Sequence, residues 1–459
     1  MWTLINSSDF NAYINENPRL KEYEDYIKLY TTKKGKIILP RLIYKNHPSS
    51  RLTTINGNGK ERASNLNFKG ELTDEQKEIV DKIIHRYNRD GWISGIIHGK
   101  PGIGKTVLSI YIASKLNKIA LIVVDNKKLA EQWIDEIKKF TDCDDNDIGK
   151  LIAYKDLPKN KKIYIALVQT LLSRLKRNAN SIYNDISSLG IGLVVYDECH
   201  KTTTGIQYAR VSILFDTKNF IGLSATPYVS GINRVLLENT IGNILVTNKK
   251  YDLKPNIRII EYKSDIPESV IKRIKTVSDY NGARSIYNSE ISNSKIYLDL
   301  ICNLINKIVQ DENRRVIVIC VTISQIKRIH EYLSNNFNIE SKLFYSKNNE
   351  IDKTRDRVLI ATYKYASHGF DYKELTDIII ASPLSGRTSL TQCIGRILRK
   401  MEGKVQPNVY DIIDNNISFL FGTRSKISIL TSEFKCGVEF YEYEYRSKRF
   451  RDKDTGRFL

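Results

Sequence analysis

A lysine, a threonine and two adjacent carboxylates stand where together they could break a phosphoanhydride bond. Gly99-Lys100-Pro101-Gly102-Ile103-Gly104-Lys105-Thr106 fits the pattern G-x-x-x-x-G-K-[ST] at every fixed position. In such a loop the glycines, here Gly99, Gly102 and Gly104, let backbone N–H groups and a helix N-terminus close on a polyphosphate. Lys105 then reaches the β- and γ-phosphates, and Thr106 ligates Mg²⁺. Further along, Asp197-Glu198-Cys199-His200 closes the apolar run 192–196. Asp197 can hold Mg²⁺ through water, and Glu198 can orient and deprotonate an attacking water. His200 is better placed to couple than to catalyse, and Ser224-Ala225-Thr226 brings hydroxyls to the end of another apolar run. Residues of these types at these spacings would suit hydrolysis of a nucleoside triphosphate with Mg²⁺.

These residues need a scaffold that carries them to one place. The apolar runs 93–98, 120–124, 162–168, 192–196 and 220–224 read as buried strands, each ending in polar residues and separated by helical stretches. That alternation is the mark of a parallel α/β sheet whose site lies at the strand C-terminal ends. Thr73 with Gln76 three residues on opens a helix as a capping box. The alternation restarts at 314–320 with no second phosphate loop, continues through a helix from Thr322 and a strand 358–362, and reaches Ala366-Ser-His-Gly369-Phe-Asp371. A helix then begins near Thr391-Gln392-Cys-Ile-Gly395-Arg396-Ile-Leu-Arg399.

Composition fits an intracellular, nucleic-acid-facing protein. The 72 Lys and Arg exceed the 52 Asp and Glu, a formal charge of +20 that favours polyanions; part of the lysine excess is what AT-rich coding would give. Residues 31–70 hold nine basic side chains against Glu61 alone, and 445–459 hold six against Asp452 and Asp454. Six cysteines without a C-x-x-C pair point to neither zinc nor a disulfide framework. No apolar run approaches the roughly 18 residues that span a bilayer, and the N-terminus lacks a signal-peptide pattern. A soluble, cytoplasmic protein is expected, in the host cytoplasm if viral, with no membrane contact and no obligate protein partner.

The phosphate loop, the Asp-Glu-Cys-His box, Ser-Ala-Thr and the run Q-x-x-G-R-x-x-R, in this order, resemble the motor of superfamily 2 helicases, over about residues 72–399. Within that superfamily the chain is similar to viral members: phage branch-migration helicases of the UvsW kind and poxvirus transcript-release helicases. The resemblance implies two RecA-like domains in tandem, with ATP held between them. It makes Gln392, Arg396 and Arg399 catalytic, the arginines neutralising charge on the transferring phosphoryl group, and places Gly369 and Asp371 at the nucleotide. His368 stands where relatives often carry an acidic or small residue. It also gives Gln76 a second reading, since a glutamine at this distance before the loop is where nucleic-acid ATPases read adenine. Travel from 3′ to 5′ is likewise only implied.

The domain boundaries expected are a basic strand-containing accessory domain at 1–67, motor domains at 68–250 and 251–435, and a basic tail at 436–459. Lys127, Lys128, Gln169, Thr170 and Thr362, at strand ends or the loops after them, are expected to touch the sugar-phosphate backbone of one strand. In the accessory domain, 36–44 reads as strand material interrupted by Pro40, its strand-like 37–44 carrying basic beside apolar residues, fit to hold duplex. The substrate expected is therefore DNA that is forked, branched or a Holliday junction. Two readings compete: an RNA-directed or transcript-release ATPase, which shares every motor motif, and the motor of a nuclease system, for which Asp135-Glu136-Ile-Lys138 offers a superficial E-x-K. The last falls in a helix where a charged, solvated face explains it.

Overall fold

The computed structural model describes every residue except 1, 33, 57–58, 153–156, 201, 228–230, 249–250, 252, 346–351, 353–354, 368–371 and 385, and at 202–205, 232, 364, 367 and 388 it describes the backbone alone. The chain divides into two compact units, Met1–Lys249 and Lys250–Leu459.

The first unit is built on seven strands, paired in parallel throughout, in the order Ile244–Asn248, Ser94–Gly99, Phe220–Ser224, Leu193–Tyr196, Ala120–Val124, Ile163–Leu167, Ile148–Leu151. The middle strands are buried along their whole length, as they must be when helices cover both faces of a sheet, and so they read as continuous apolar runs. The two edge strands were not legible this way: Ile148–Leu151 holds a glycine and an exposed lysine, and Ile244–Asn248 is only half-buried.

A second, antiparallel sheet lies in the same unit. Its order is Tyr30–Thr31, Lys36–Leu39, Trp2–Asn6, Thr53–Ile55. It is not a detached accessory domain. Leu4 and Ile38 enter the core beneath the seven-stranded sheet, and Ile5, Phe10, Ile37 and Leu39 pack with Ala209 and Leu236. The strand material 36–44 is interrupted at Pro40. Pro40 cannot donate to a ladder, so the strand stops at Leu39, a turn follows, and Ile43–Asn46 is a short helix. Arg41 is thereby turned inward and is 3% exposed. It donates to the Lys218 carbonyl at 2.8 Å, to Ser94 Oγ at 2.8 Å and to the Thr240 carbonyl at 3.3 Å, with its guanidinium 4.0 Å from the centre of the Phe220 ring.

The second unit carries eight strands in the order Lys342–Phe344, Val358–Thr362, Val316–Cys320, Asp377–Ile380, Asn408–Asp414, Asn256–Tyr262, Val438–Glu444, Arg449–Asp452, all paired in parallel but the last. The expected basic tail is thus part of this sheet. Alternation explains it: Tyr441, Tyr443 and Phe450 face the core while Glu442, Glu444, Arg449 and Arg451 face water and pair across the hairpin. Asp299, 3% exposed, fixes the hairpin by accepting from the Tyr443 hydroxyl at 2.7 Å and from Lys448 Nζ at 3.3 Å. Among the described residues no helix is long and apolar enough to cross a membrane.

Candidate active site

The phosphate loop leaves the buried strand Ser94–Gly99 and enters the helix Lys105–Lys115. Gly102 and Gly104 have φ of 85° and 82°, which a side chain would strain. A Cβ on Gly104 would also lie 2.5 Å from Gln76 Nε2. Lys105 Nζ donates to the Gly99 carbonyl at 3.1 Å, so the lysine folds back over the loop it follows. Gln76 completes the capping box with Thr73 and at the same time donates from Nε2 to the Ile103 carbonyl at 2.9 Å. Its amide ties the start of the helix Asp74–Asp90 to the loop.

The acidic box follows the strand Leu193–Tyr196. The Asp197 carboxylate accepts from the Trp133 indole N–H at 2.7 Å on one oxygen and from the Glu198 backbone N–H at 2.8 Å on the other. Burial first, then the charge of Glu198, pushes its pKa up to about 6, against the pull of the Trp133 hydrogen bond and Lys105. It is therefore ionised at neutral pH. Glu198 has φ of 47°, a left-handed backbone that costs a non-glycine residue about 1 kcal/mol or more and clusters at functional positions. Its Oε2 lies 3.2 Å from His200 Nδ1, and that nitrogen lies 2.9 Å from Ser224 Oγ. Ser224 Oγ in turn accepts the Thr226 N–H at 3.0 Å. Glu198 Oε2 itself has no hydrogen-bond partner among the described residues, so the hydrogen bond at Nδ1 is the one to Ser224 Oγ. The line Glu198–His200–Ser224–Thr226 thus runs from the acidic box to the next strand end, His200 being 6% exposed.

Mg²⁺ is bound in phosphate sites through one or two protein oxygens, with substrate phosphates and water completing six-fold coordination. The Thr106 hydroxyl and the ionised Asp197 carboxylate are the hard oxygen donors that fit it. Among the described residues no three His, Cys, Asp or Glu side chains form a self-sufficient metal site.

The candidate strand contacts are more mixed. Lys127 and Lys128 are exposed at the start of the helix Lys127–Phe140, which Asn126 caps. Gln169 donates to the Asp125 carbonyl at 2.9 Å, joining the ends of two neighbouring strands. Thr170 and Thr362 are each 9% exposed, so little beyond a hydroxyl is offered. Asp135 and Glu136 lie on the outer face of the same helix as Lys127, and Lys138 is paired with Asp145 at 2.5 Å, as a solvated face would be.

In the second unit Gln392 and Arg396 lie one turn apart on the helix Arg387–Ile397, whose Leu390, Cys393, Ile394 and Ile397 are buried. Arg396 and Arg399 are half-buried. Gly369, Asp371 and His368 lie outside the described residues. Sequence reasoning missed Trp133 and Lys404. Trp133 shows only as the largest buried member of an amphipathic helix, although an indole N–H in a core needs an acceptor. Lys404 Nζ donates to the carbonyls of Lys373 at 2.8 Å and Arg399 at 3.1 Å; burial, then Arg399, lowers its pKa to about 8.

Residues 69–229 match the family described as the type III restriction enzyme, res subunit. A mimivirus protein (Acanthamoeba polyphaga mimivirus) named as an ATP-dependent RNA helicase, L396, is 26% identical over 399 residues, 84% of this chain and 72% of its own length. Escherichia phage T5 D10, named as a helicase, is 25% identical over 69% of this chain and 67% of its own. The chain resembles the viral superfamily 2 helicases. Transcript termination protein A18 of Yaba-like disease virus is a third such relative, 25% identical over 76% of the chain and 74% of its own length. Two solved structures share the tandem RecA-like fold. The type ISP restriction-modification enzyme LlaBIII bound to DNA has a TM-score of 0.54 at 14% identity over 80% of this chain, which spans 30% of that larger one. S. cerevisiae Dbp5 bound to RNA and ADP BeF3 has 0.51 at 13% identity, over 80% of this chain and 89% of its own. The relatives are named as helicases or a transcript termination protein, and the two structures share the fold.

Proposed function

We propose that the protein is an ATP-driven motor that travels along one strand of nucleic acid and opens DNA at forks and other branched junctions. The observation that carries the hydrolytic half is the set at one end of the first sheet: Lys105 on the phosphate loop, Asp197 held by Trp133, and Glu198 beside His200, which is hydrogen-bonded to Ser224.

In this reading the loop N–H groups and Lys105 bind the β- and γ-phosphates. Thr106 and Asp197 hold Mg²⁺, which when bound neutralises charge on those phosphates. Glu198 orients a water and takes its proton. His200 senses the state of Glu198 and passes it to Ser224 and Thr226. Gln76, already tied to the loop, has one N–H left for adenine. Arg396 and Arg399 neutralise the transferring phosphoryl group, and Gln392 supports them. Lys127, Lys128, Gln169, Thr170 and Thr362 touch sugar and phosphate, so binding is independent of base sequence and falls steeply with salt.

Selectivity for branched DNA comes from what is added to the motor. With Arg41 buried, the cations left at the surface of the N-terminal segment are Lys34, Lys36, Lys45, Lys60 and Lys69, among others. Transcript release is the second reading, favoured by the relatives named as an RNA helicase and a transcript termination protein. ATP hydrolysis measured with single-stranded DNA, forked DNA, linear duplex and RNA decides between them: forked DNA is expected to stimulate most, and stimulation by RNA alone would favour transcript release.

A further inference from the structure

The end of the first sheet away from the phosphate loop carries a feature the motor reading does not use. Trp92 and Lys218 each stand two residues before a strand, Ser94–Gly99 and Phe220–Ser224, and those strands pair with Ser94 beside Phe220. Both residues therefore lie at the strand N-terminal ends, a six-residue strand or roughly 20 Å from the loop. The N-terminal segment folds over this edge and adds Arg41, Tyr44 and Lys45.

Two cavities meet at Trp92. The smaller, about 40 Å³, is lined by Arg41, Tyr44, Trp92 and Lys218 alone. A water needs about 10–15 Å³ by this measure, so the space takes about three waters, enough for the outer oxygens of a phosphate. Arg41 is 3% exposed, and its Nε is a buried donor without a hydrogen-bond partner. The larger cavity, about 90 Å³, has Lys45, Arg86, Asp90 and Glu238 in its wall beside Trp92, and Lys45 Nζ lies 5.4 Å from the centre of the indole ring. Both carboxylates are already engaged, Asp90 by Arg89 at 2.7 Å and Glu238 by Arg234 at 2.8 Å. What remains in the walls is a buried guanidinium, an exposed lysine, a phenol and a half-buried aromatic plate.

We propose that Arg41, Tyr44, Lys218 and Trp92 form a subsite for one nucleotide unit of a single strand, its phosphodiester in the small cavity against Arg41 and Lys218 and its base against Trp92. This rests on the reading of the chain as a nucleic-acid motor, and gives it a second grip remote from the strand ends that carry the hydrolytic residues. Stacking of a base on an aromatic side chain tolerates any base, so the subsite keeps binding independent of sequence.

The test uses the full chain without nucleotide. A single-stranded oligonucleotide carrying 5-iodouracil is photo-crosslinked and the adducts are mapped by peptide mass spectrometry; affinity is measured for the parent, Trp92→Leu and Lys218→Gln. A crosslink at Trp92 or Tyr44 is expected. Trp92→Leu is expected to weaken binding about 5- to 100-fold, and Lys218→Gln to reduce the salt slope by about 0.7, with ATP hydrolysis in the absence of nucleic acid unchanged for both. Crosslinks confined to other residues, with both variants within twofold of the parent, overturn the subsite. So does inorganic phosphate protecting the cavity while the oligonucleotide leaves it unmarked, because the site then takes free phosphate. Binding is scored apart from hydrolysis: a Trp92 crosslink on a protein whose ATPase ignores nucleic acid sinks the motor and keeps the subsite.

Discussion

Replacing Arg41 by Met tests whether the N-terminal segment is part of the first unit or an ornament on it. Methionine matches the aliphatic stem but removes the donors to the Lys218 and Thr240 carbonyls. A buried acceptor left without its donor costs about 1–3 kcal/mol, and the lost cation–π contact with Phe220 about 2 kcal/mol more. Against this, burial lowers the pKa of Arg41 to about 10 from its ordinary 12.5, so removing the charge recovers about 3 kcal/mol at 1.36 kcal/mol for each pH unit. The net loss expected is about 3 kcal/mol. For a unit of this size that is a fall of about 6–12 °C in the unfolding midpoint. The three tryptophans, Trp2, Trp92 and Trp133, all belong to the first unit, so intrinsic fluorescence during a thermal ramp follows that unit alone. A midpoint within about 1 °C of the parent refutes the anchoring role. The same contacts predict that deleting residues 1–67 uncovers Ile96, Ala209, Leu236 and their neighbours and yields insoluble protein in place of a selectively impaired motor.

Asp197→Asn is expected to abolish hydrolysis yet stabilise the fold at pH 7. With a pKa near 6 the native carboxyl holds a proton that the unfolded chain has released, so stability falls as pH rises from about 4 to 6. Asparagine escapes that cost of at most about 3 kcal/mol while leaving one of two donors unmatched, a net gain of about 1 kcal/mol; an equal shift in the melting midpoint at pH 4 and pH 7 contradicts the assignment. Trp133→Phe removes a donor that favours the ionised carboxylate, so the acid limb of the ATPase pH profile moves toward neutrality by about one pH unit, and an unmoved limb counts against it. Lys105→Ala and Glu198→Gln each abolish turnover, the latter retaining nucleotide in equilibrium dialysis; undiminished hydrolysis by either protein sinks the site. Arg399→Ala lowers kcat on the order of 10³-fold with ATP affinity kept, whereas a loss of nucleic-acid affinity alone removes it from the catalytic group.

The core strands were legible because burial on both faces writes itself as an unbroken apolar run, as in Ala120–Val124 and Val316–Cys320. The phosphate-loop pattern then pointed to Lys105, and polar residues at strand ends to Asp197 and Ser224. What escaped was whatever depends on partners distant in sequence. Arg41 reads as a surface cation beside apolar neighbours, and nothing local announces carbonyls at 218 and 240. Trp133 reads as core until its indole N–H is seen to need Asp197. The hairpin Val438–Asp452 alternates Glu and Tyr, then Arg and Phe, a two-residue period that the basic charge of 445–459 masked.

That hairpin has a colloidal consequence. Asn256–Tyr262 carries four apolar side chains out of seven, counting Tyr262, and is paired along one edge only by Val438–Glu444. A long, flat apolar strand with open N–H and C=O groups is a template for joining other chains, and the sequence Ile257-Arg-Ile-Ile-Glu-Tyr262 has the β-propensity of such templates. Arg449–Asp452, short and lined with arginines, is instead an edge that repels its own kind. A second unit trimmed before Val438 to obtain a smaller protein should therefore form sedimenting assemblies, and one that keeps the last residues to Leu459 should stay dispersed.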